Sequence, residues 1–307
     1  MHYRRLGSAG LKVSAIGLGT NQFGGKVSAK LATQIIHAAL DEGINLIDTA
    51  DIYQNGRSEE AIGAAIKDRR ENVVIATKFR HKVEPGGPND QGASRHHILQ
   101  GVEASLRRLK GEYLDLYQIH SWDSETPLEE TMRALDDLVR AGKIRYIGAS
   151  NFSAWQLAQA NAIAQSLGLT KFVSIQPHYH ILERGIEQEM VPAAQYLGIG
   201  ILPYFPLAGG FLTGKYQPDQ PAPKGSRGEN SPYVQKYMTA NNFDNLENLA
   251  RFAEAHGHTL NELAHAWLLA QPQISSVISG ATKVDHVRAN AKSAAWELTA
   301  EEESAVR

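Results

Sequence analysis

The chain has 307 residues, a formal net charge of −2, 42% hydrophobic and 21% charged residues, and no cysteine. That length can bury a large core, and the balanced charge gives no basic field for nucleic acid or an anionic membrane. The lack of thiols excludes disulfides, thiolate metal sites and cysteine nucleophiles, and fits a reducing compartment. MHYRRLG lacks a signal-peptide core, and no apolar stretch nears the roughly 18 residues of a bilayer span, so a cytosolic protein without membrane or nucleic-acid partners is expected.

Taken in chain order, RRLGSAGLKVSAI reads as a hairpin turning over Gly7 to Gly10. Short apolar runs then alternate with amphipathic helical stretches. SAIGLG, INLID, NVVIATK, YLDLYQIH, IRYIGAS, FVSIQ, GIGILPY and SSVIS are rich in Val, Ile and Leu, as strands buried on both faces should be. Between them, KLATQIIHAALDEG sets Leu31, Ile35 and Ala39 on one stripe and stops at Gly43. TPLEETMRALDDLVRAG predicts a helix with Thr126 as N-cap, Pro127 at its first position, Glu129 completing a capping box and Gly142 closing it. Thr259 with Glu262, and Thr299 with Glu302, repeat that box.

Eight strands, nearly all followed by a helix, predict an α/β (β/α)8 TIM barrel forming one domain over residues 1–307. The hairpin is expected to plug its bottom, and extra helices to follow near the C-terminus. A doubly wound open sheet competes, but usually has fewer strands, and no GxGxxG follows the first strand here. Strand-end residues fall at 48, 78, 120, 151, 176 and 204, about one βα unit apart. Two long loops, VEPGGPNDQGAS at 83–94 and the stretch around 216–240, are candidates for function.

Catalytic groups of such a barrel gather where its strands end. Asp48, Tyr53, Lys78 and His120 all lie at or just past strand ends. Alone, each has a structural reading as a loop cap, a packed ring or an ion-paired lysine. Together on one rim they form a proton-transfer site. Lys78, buried by its strand, needs a carboxylate, and Asp48 is the obvious one. A cation beside Tyr53 would lower its pKa and let it act as a general acid. His120 can hydrogen-bond the same substrate oxygen.

The chain resembles the aldo-keto reductases over nearly its full length, through GLGTNQFG, GINLIDTADIYQNGRSEE, IATK, YLDLYQIHSWD, IRYIGASNFS, YFPLAGGFLTGKY and VISGATKVDHVRAN. The resemblance implies a catalytic tetrad: Tyr53 as acid, Lys78 lowering its pKa, Asp48 supporting Lys78, and His120 orienting the carbonyl. It also implies NADPH, with NADH less favoured. Ser150, Asn151 and Gln176 would hold the carboxamide and Tyr204 would stack on the nicotinamide, bordered by Gly19 and Thr20. The stretch from Leu207 to Lys215 would wrap the pyrophosphate, with Gly209 allowing close backbone approach. Gly280, Thr282, Lys283, His286 and Asn290 would hold the adenosine end and its 2′-phosphate.

Three departures stand out. Ser279 replaces a frequent proline, predicting a looser loop. Phe205 replaces a frequent serine, so any hydroxyl contact there passes to backbone. The chain ends at Arg307 without a long C-terminal loop, which predicts an open substrate site formed by the loops at 83–94 and 216–240. Phe23, Tyr53, His120 and Trp122 are the expected substrate walls.

The expected activity is reduction of an aldehyde or ketone by NADPH, with alcohol oxidation as its reverse, in a monomer acting on small molecules. A nicotinamide-binding regulatory subunit of the channel β-subunit type is the alternative; retention of the tetrad and the absence of an extension at the start weigh against it. No metal is expected, since His96–His97 and the HYH at 178–180 lack matching carboxylates at strand ends.

Overall fold

The structure, a computed structural model, describes residues 1–306; Arg307, the expected chain end, lies outside the described residues. Among the described residues ten strands are formed: β1 (Tyr3–Arg5), β2 (Lys12–Ser14), β3 (Ile16–Gly19), β4 (Leu46–Asp48), β5 (Val74–Phe79), β6 (Leu114–Ile119), β7 (Ile144–Ser150), β8 (Phe172–Gln176), β9 (Gly200–Ile201) and β10 (Val277–Gly280). The helices are α1 (Ala29–Asp41), α2 (Arg57–Ala65), α3 (Arg95–Leu109), α4 (Leu128–Arg140), α5 (Ala154–Leu167), α6 (Met190–Leu197), α7 (Pro232–Gln235), α8 (Ala240–Ala255), α9 (Leu260–Ala270), α10 (Val284–Ser293) and α11 (Ala300–Ala305).

Strands β3 to β9 pair in parallel in sequence order, and β10 pairs with β3. The bridges Ile201↔Ile274 and Tyr204↔Ile278 join the β9 end to β10, so the sheet closes into the expected (β/α)8 barrel. Two apolar clusters follow. The larger lies between sheet and helices. The smaller joins Leu46, Val74, Ala76, Leu116, Leu202 and Ile278 with Leu6 and Val13 of the hairpin. Side chains alternate along a strand, so Leu46, Ala76, Leu116 and Leu202 share a face with Asp48, Lys78, His120 and Tyr204. That face is the barrel lumen, floored by the β1–β2 hairpin and topped by the polar residues.

Local expectations mostly hold. Thr259 and Thr299 both form reciprocal capping boxes, with Glu262 and Glu302. The cap of α4 differs. Pro127 is the N-cap without a side-chain bond, because Thr126 instead donates its hydroxyl to Asp123 Oδ2 at 2.7 Å. Glu129 turns to Arg133 rather than back to a cap. Ser279 is buried, and its hydroxyl sits 2.9 Å from His265 Nε2, a contact that a proline could not make.

Candidate active site

Asp48 is the last residue of β4, and Lys78 lies one residue before the end of β5. Lys78 is 0% exposed and Asp48 2%, so neither charge is tolerable alone. Lys78 Nζ donates to both Asp48 oxygens at 2.8 Å, to Thr49 O at 2.7 Å and to Tyr53 OH at 3.4 Å. Gln176 Nε2 donates to Asp48 Oδ1 at 2.8 Å, fixing the carboxylate from β8. The loop after β4 carries Tyr53 back over this pair. It is pinned by the buried Ser58 hydroxyl, 2.9 Å from Thr49 Oγ1 and 3.0 Å from Thr20 O. His120 completes the group, its ring edge-on to Tyr53 with centroids 5.8 Å apart.

The electrostatics separate these residues. Burial is the largest single influence and opposes the Lys78 ammonium, but the facing Asp48 carboxylate and the Tyr53 hydroxyl together outweigh it and leave Lys78 above its ordinary pKa. Burial raises the Tyr53 phenol, and the opposing pull of Lys78 does not win. The expected net lowering of Tyr53 is therefore corrected: desolvation is the larger effect, and the phenol keeps its proton at neutral pH. Burial, then Lys78, His81 and Arg80, push His120 down to about 2. Its ring is thus neutral, with one N–H to offer, and its Nδ1 is buried without a hydrogen-bond partner among the described residues.

Around this group lie the residues expected to meet a dinucleotide. Ser150 Oγ donates to Gln176 O at 2.8 Å. Asn151, at φ 54°, donates through Nδ2 to His120 O at 3.0 Å and accepts at Oδ1 from Tyr204 OH at 2.9 Å. Tyr204 is backed by His178, stacked at 5.3 Å and 9°. Thr20 is buried and donates its hydroxyl to Asp48 O at 2.8 Å; at Gly19 a Cβ would come within 3.2 Å of Ile278. Phe205 has φ 65°, and a Cβ on Gly209 would lie 2.6 Å from its ring. From Leu207 onward the belt turns through Gly209 (φ 68°) and Gly210 (φ 103°), and a Cβ on Gly210 would lie 2.6 Å from Lys215 Nζ.

At the far end, exposed Gly280 leads through Thr282 to Lys283, the N-cap of α10, with Asn290 buried beneath. Thr282 N and Oγ1 both lie 3.4 Å from His286 Nδ1. Burial, then Lys283 and Lys215, hold His286 below its ordinary pKa, so belt and helix converge on one cationic end. The set fits NAD(P)H: a flat ring and side-chain amides at the tetrad, glycine turns in the middle, and lysines with a helix N-terminus at the phosphate end.

Phe23 is not brought to the cleft. It is 0% exposed within the main core, because its loop folds back on Val27. Trp122 does reach the rim, edge-on to Phe152 at 5.2 Å and Trp155 at 5.7 Å. The residues the sequence reading passed over are Asp51, Arg80, His81 and, as a neighbour of Tyr204, His178. Burial and then Glu59 hold the Asp51 carboxyl well above its usual range, behind Lys78. Its place in TADIY, three residues after Asp48, was the available signal. Among the described residues no group of three or more His, Cys, Asp or Glu is placed to hold a metal.

A parallel barrel with this polar rim defines a nicotinamide-dependent oxidoreductase. The chain belongs to the aldo/keto reductase family, whose profile matches residues 15–307. It is 38% identical over 305 residues to a probable voltage-gated potassium channel subunit beta of Arabidopsis thaliana, covering 95% of this chain and 90% of that one. It is 38% identical over 298 residues to YrpG, an uncharacterized oxidoreductase of Bacillus subtilis (strain 168), covering 94% and 89%. A putative voltage-gated potassium channel subunit beta of Schizosaccharomyces pombe is 37% identical over 301 residues, covering 94% and 87%.

Proposed function

We propose that this protein reduces aldehydes or ketones with NADPH, using Asp48, Tyr53, Lys78 and His120. The observation that carries the proposal is the Lys78 ammonium, held between the Asp48 carboxylate at 2.8 Å and the Tyr53 hydroxyl at 3.4 Å. The substrate oxygen accepts hydrogen bonds from Tyr53 and the neutral His120. A reduced nicotinamide, when bound, supplies the hydride to the carbonyl carbon. Tyr53 gives its proton to the oxygen, and the adjacent Lys78 charge stabilises the phenolate left behind. Asp48 keeps Lys78 charged and in place throughout, and Gln176 keeps Asp48 from turning. Ser150, Asn151, Gln176 and Tyr204 orient the ring end. Lys215 and Lys283 support NADPH over NADH, since both lysines act on His286 at the start of α10 and bring positive charge there, with the neutral His286 ring as a hydrogen-bonding group. The chain acts as one barrel domain, as a monomer in the cytosol; the absence of cysteine and the fact that no described helix can cross a membrane are consistent with that placement.

The test is loss of NADPH absorbance with reactive aldehydes, in wild type and Tyr53→Phe, with NADH run alongside. Turnover is expected to fall by about 10²–10⁴ in the variant while NADPH binding persists. The names of the potassium channel relatives favour one other reading, a nicotinamide-binding subunit of a larger assembly. Tight NADPH binding by wild type without turnover of any aldehyde would select it.

A further inference from the structure

The rim beside His120 carries a cation that the tetrad does not use. Arg80 leaves β5 two residues after Lys78, at φ 122°, a left-handed value that side-chain-bearing residues keep only when their surroundings enforce it. Gly92 N donates to Arg80 O at 2.8 Å, so the 83–94 loop clamps this turn. Arg80 Nε is shielded from solvent and has no hydrogen-bond partner among the described residues. Asp123 is the acid that senses Arg80, yet its own oxygens are engaged by Ala93 N and Thr126 Oγ1, both at 2.7 Å, and by Glu125 N at 3.1 Å. His81, the next residue, sets its ring 4.8 Å from His120.

Arg80 and His81 are both part-exposed. The groups whose charge acts on His120 are all basic, Lys78, His81 and Arg80, and Tyr53, edge-on to the same ring, is a protonated phenol. Lys78 is neutralised by Asp48. Burial and then Arg80 hold His81 below its ordinary pKa, making it a neutral hydrogen-bonding ring and leaving Arg80 as the charge. A guanidinium presents a planar fork that matches the two oxygens of a carboxylate or phosphate.

We propose that Arg80 and His81 form an oxyanion-recognition subsite beside His120, so that preferred substrates are carbonyl compounds bearing a carboxylate or phosphate. This rests on the carbonyl reductase reading above. The test compares kcat/KM within two matched pairs, para-carboxybenzaldehyde against para-nitrobenzaldehyde and glyceraldehyde phosphate against glyceraldehyde. Wild type is expected to favour the charged member of at least one pair. Arg80→Gln should lower that ratio about ten-fold, chiefly through KM, and Arg80→Lys should lower it less. The responding pair tells carboxylate from phosphate. A wild type indifferent to charge, or a ratio unchanged in Arg80→Gln, overturns the subsite.

Titration of benzoate or inorganic phosphate into the NADP+-saturated protein reads the same subsite without turnover. Anion binding that weakens in Arg80→Gln, in a protein that reduces no aldehyde, retains the subsite and sinks the reductase reading. Anion binding indifferent to Arg80 sinks the subsite. Should Arg80→Gln fail to fold, the same titration on Arg80→Lys decides, since a point charge without the fork must bind more weakly.

Discussion

Burial pushes His120 down to about 2, His180 to about 3 and His265 to about 4, with neighbouring Lys78 adding to the first and His178 to the second. Each folded value lies below the ~6.5 of an unfolded histidine, so the unfolded chain binds more protons beneath that pH. Their contribution to stability is therefore intact above about 6.5 and is lost as pH falls through that value toward the folded one. Asp51 works the other way: its carboxyl is raised, so the folded state holds a proton that the unfolded state releases above the ordinary carboxylate range. The net slope is smaller than the histidines alone would give, and only a difference between variants isolates one of them. His265 suits that measurement because it lies on α9, bonded to Asn261 O and Ser279 Oγ, away from the tetrad. His265→Gln should be less stable at neutral pH yet lose less on acidification, flattening the slope between pH ~6 and ~4 by up to about 1.4 kcal/mol per pH unit. Urea unfolding of both proteins across that range checks it, and parallel slopes would refute it.

Helix ends show how far local sequence rules reach. Thr259 accepts from Glu262 N at 3.2 Å, while Glu262 Oε2 takes Thr259 N at 2.8 Å. Glu262 also receives Lys292 Nζ of α10 at 3.1 Å, and these partners together outweigh burial to bring its carboxyl down to about 2. Thr259→Ala removes the cap and should cost about 0.5–2 kcal/mol, seen as a lower urea midpoint with unchanged m-value. That box was legible because every part of it lies within four residues. Thr126 obeyed the same pattern and failed, since Asp123, only three residues upstream and held by Ala93 N from the preceding βα loop, takes its hydroxyl instead. Strand ends were legible for a different reason. Continuous apolar runs stop where the lumen opens, and the folded chain has Asp48, Lys78 and His120 at those strand ends, with Tyr53 beside them. Phe23 was misplaced because its loop turns back on Val27. Arg80 and His81 were passed over because nothing in KFRHK marks a left-handed turn; only the folded chain puts His81 against His120.

At the scale of the molecule, the barrel separates two tasks. The polar residues of the candidate site gather at the strand C-termini, and the N-terminal end is closed by the β1–β2 hairpin, whose Leu6 and Val13 complete the lumen core. Gly7 is the tightest point of that closure. It has φ 57°, and a Cβ there would lie 2.5 Å from Gly200 N, 2.6 Å from Gly198 O and 2.7 Å from Val173 O. All three are backbone atoms of the barrel wall, so no side chain can swing aside. Gly7→Ala must lift the plug, expose part of the lumen core and weaken the bond from Ser8 N to Gly198 O, now 2.8 Å. A loss of about 2–4 kcal/mol is expected from the combined strain and repacking. Because the tetrad is held by β4, β5, β6 and β8 at the opposite end, the NADPH dissociation constant should stay within about two-fold, under ~0.5 kcal/mol. Unfolding and NADPH fluorescence titration on the same preparation measure both quantities. A parallel loss of binding and stability would mean that the floor and rim of this barrel move together rather than dividing the work.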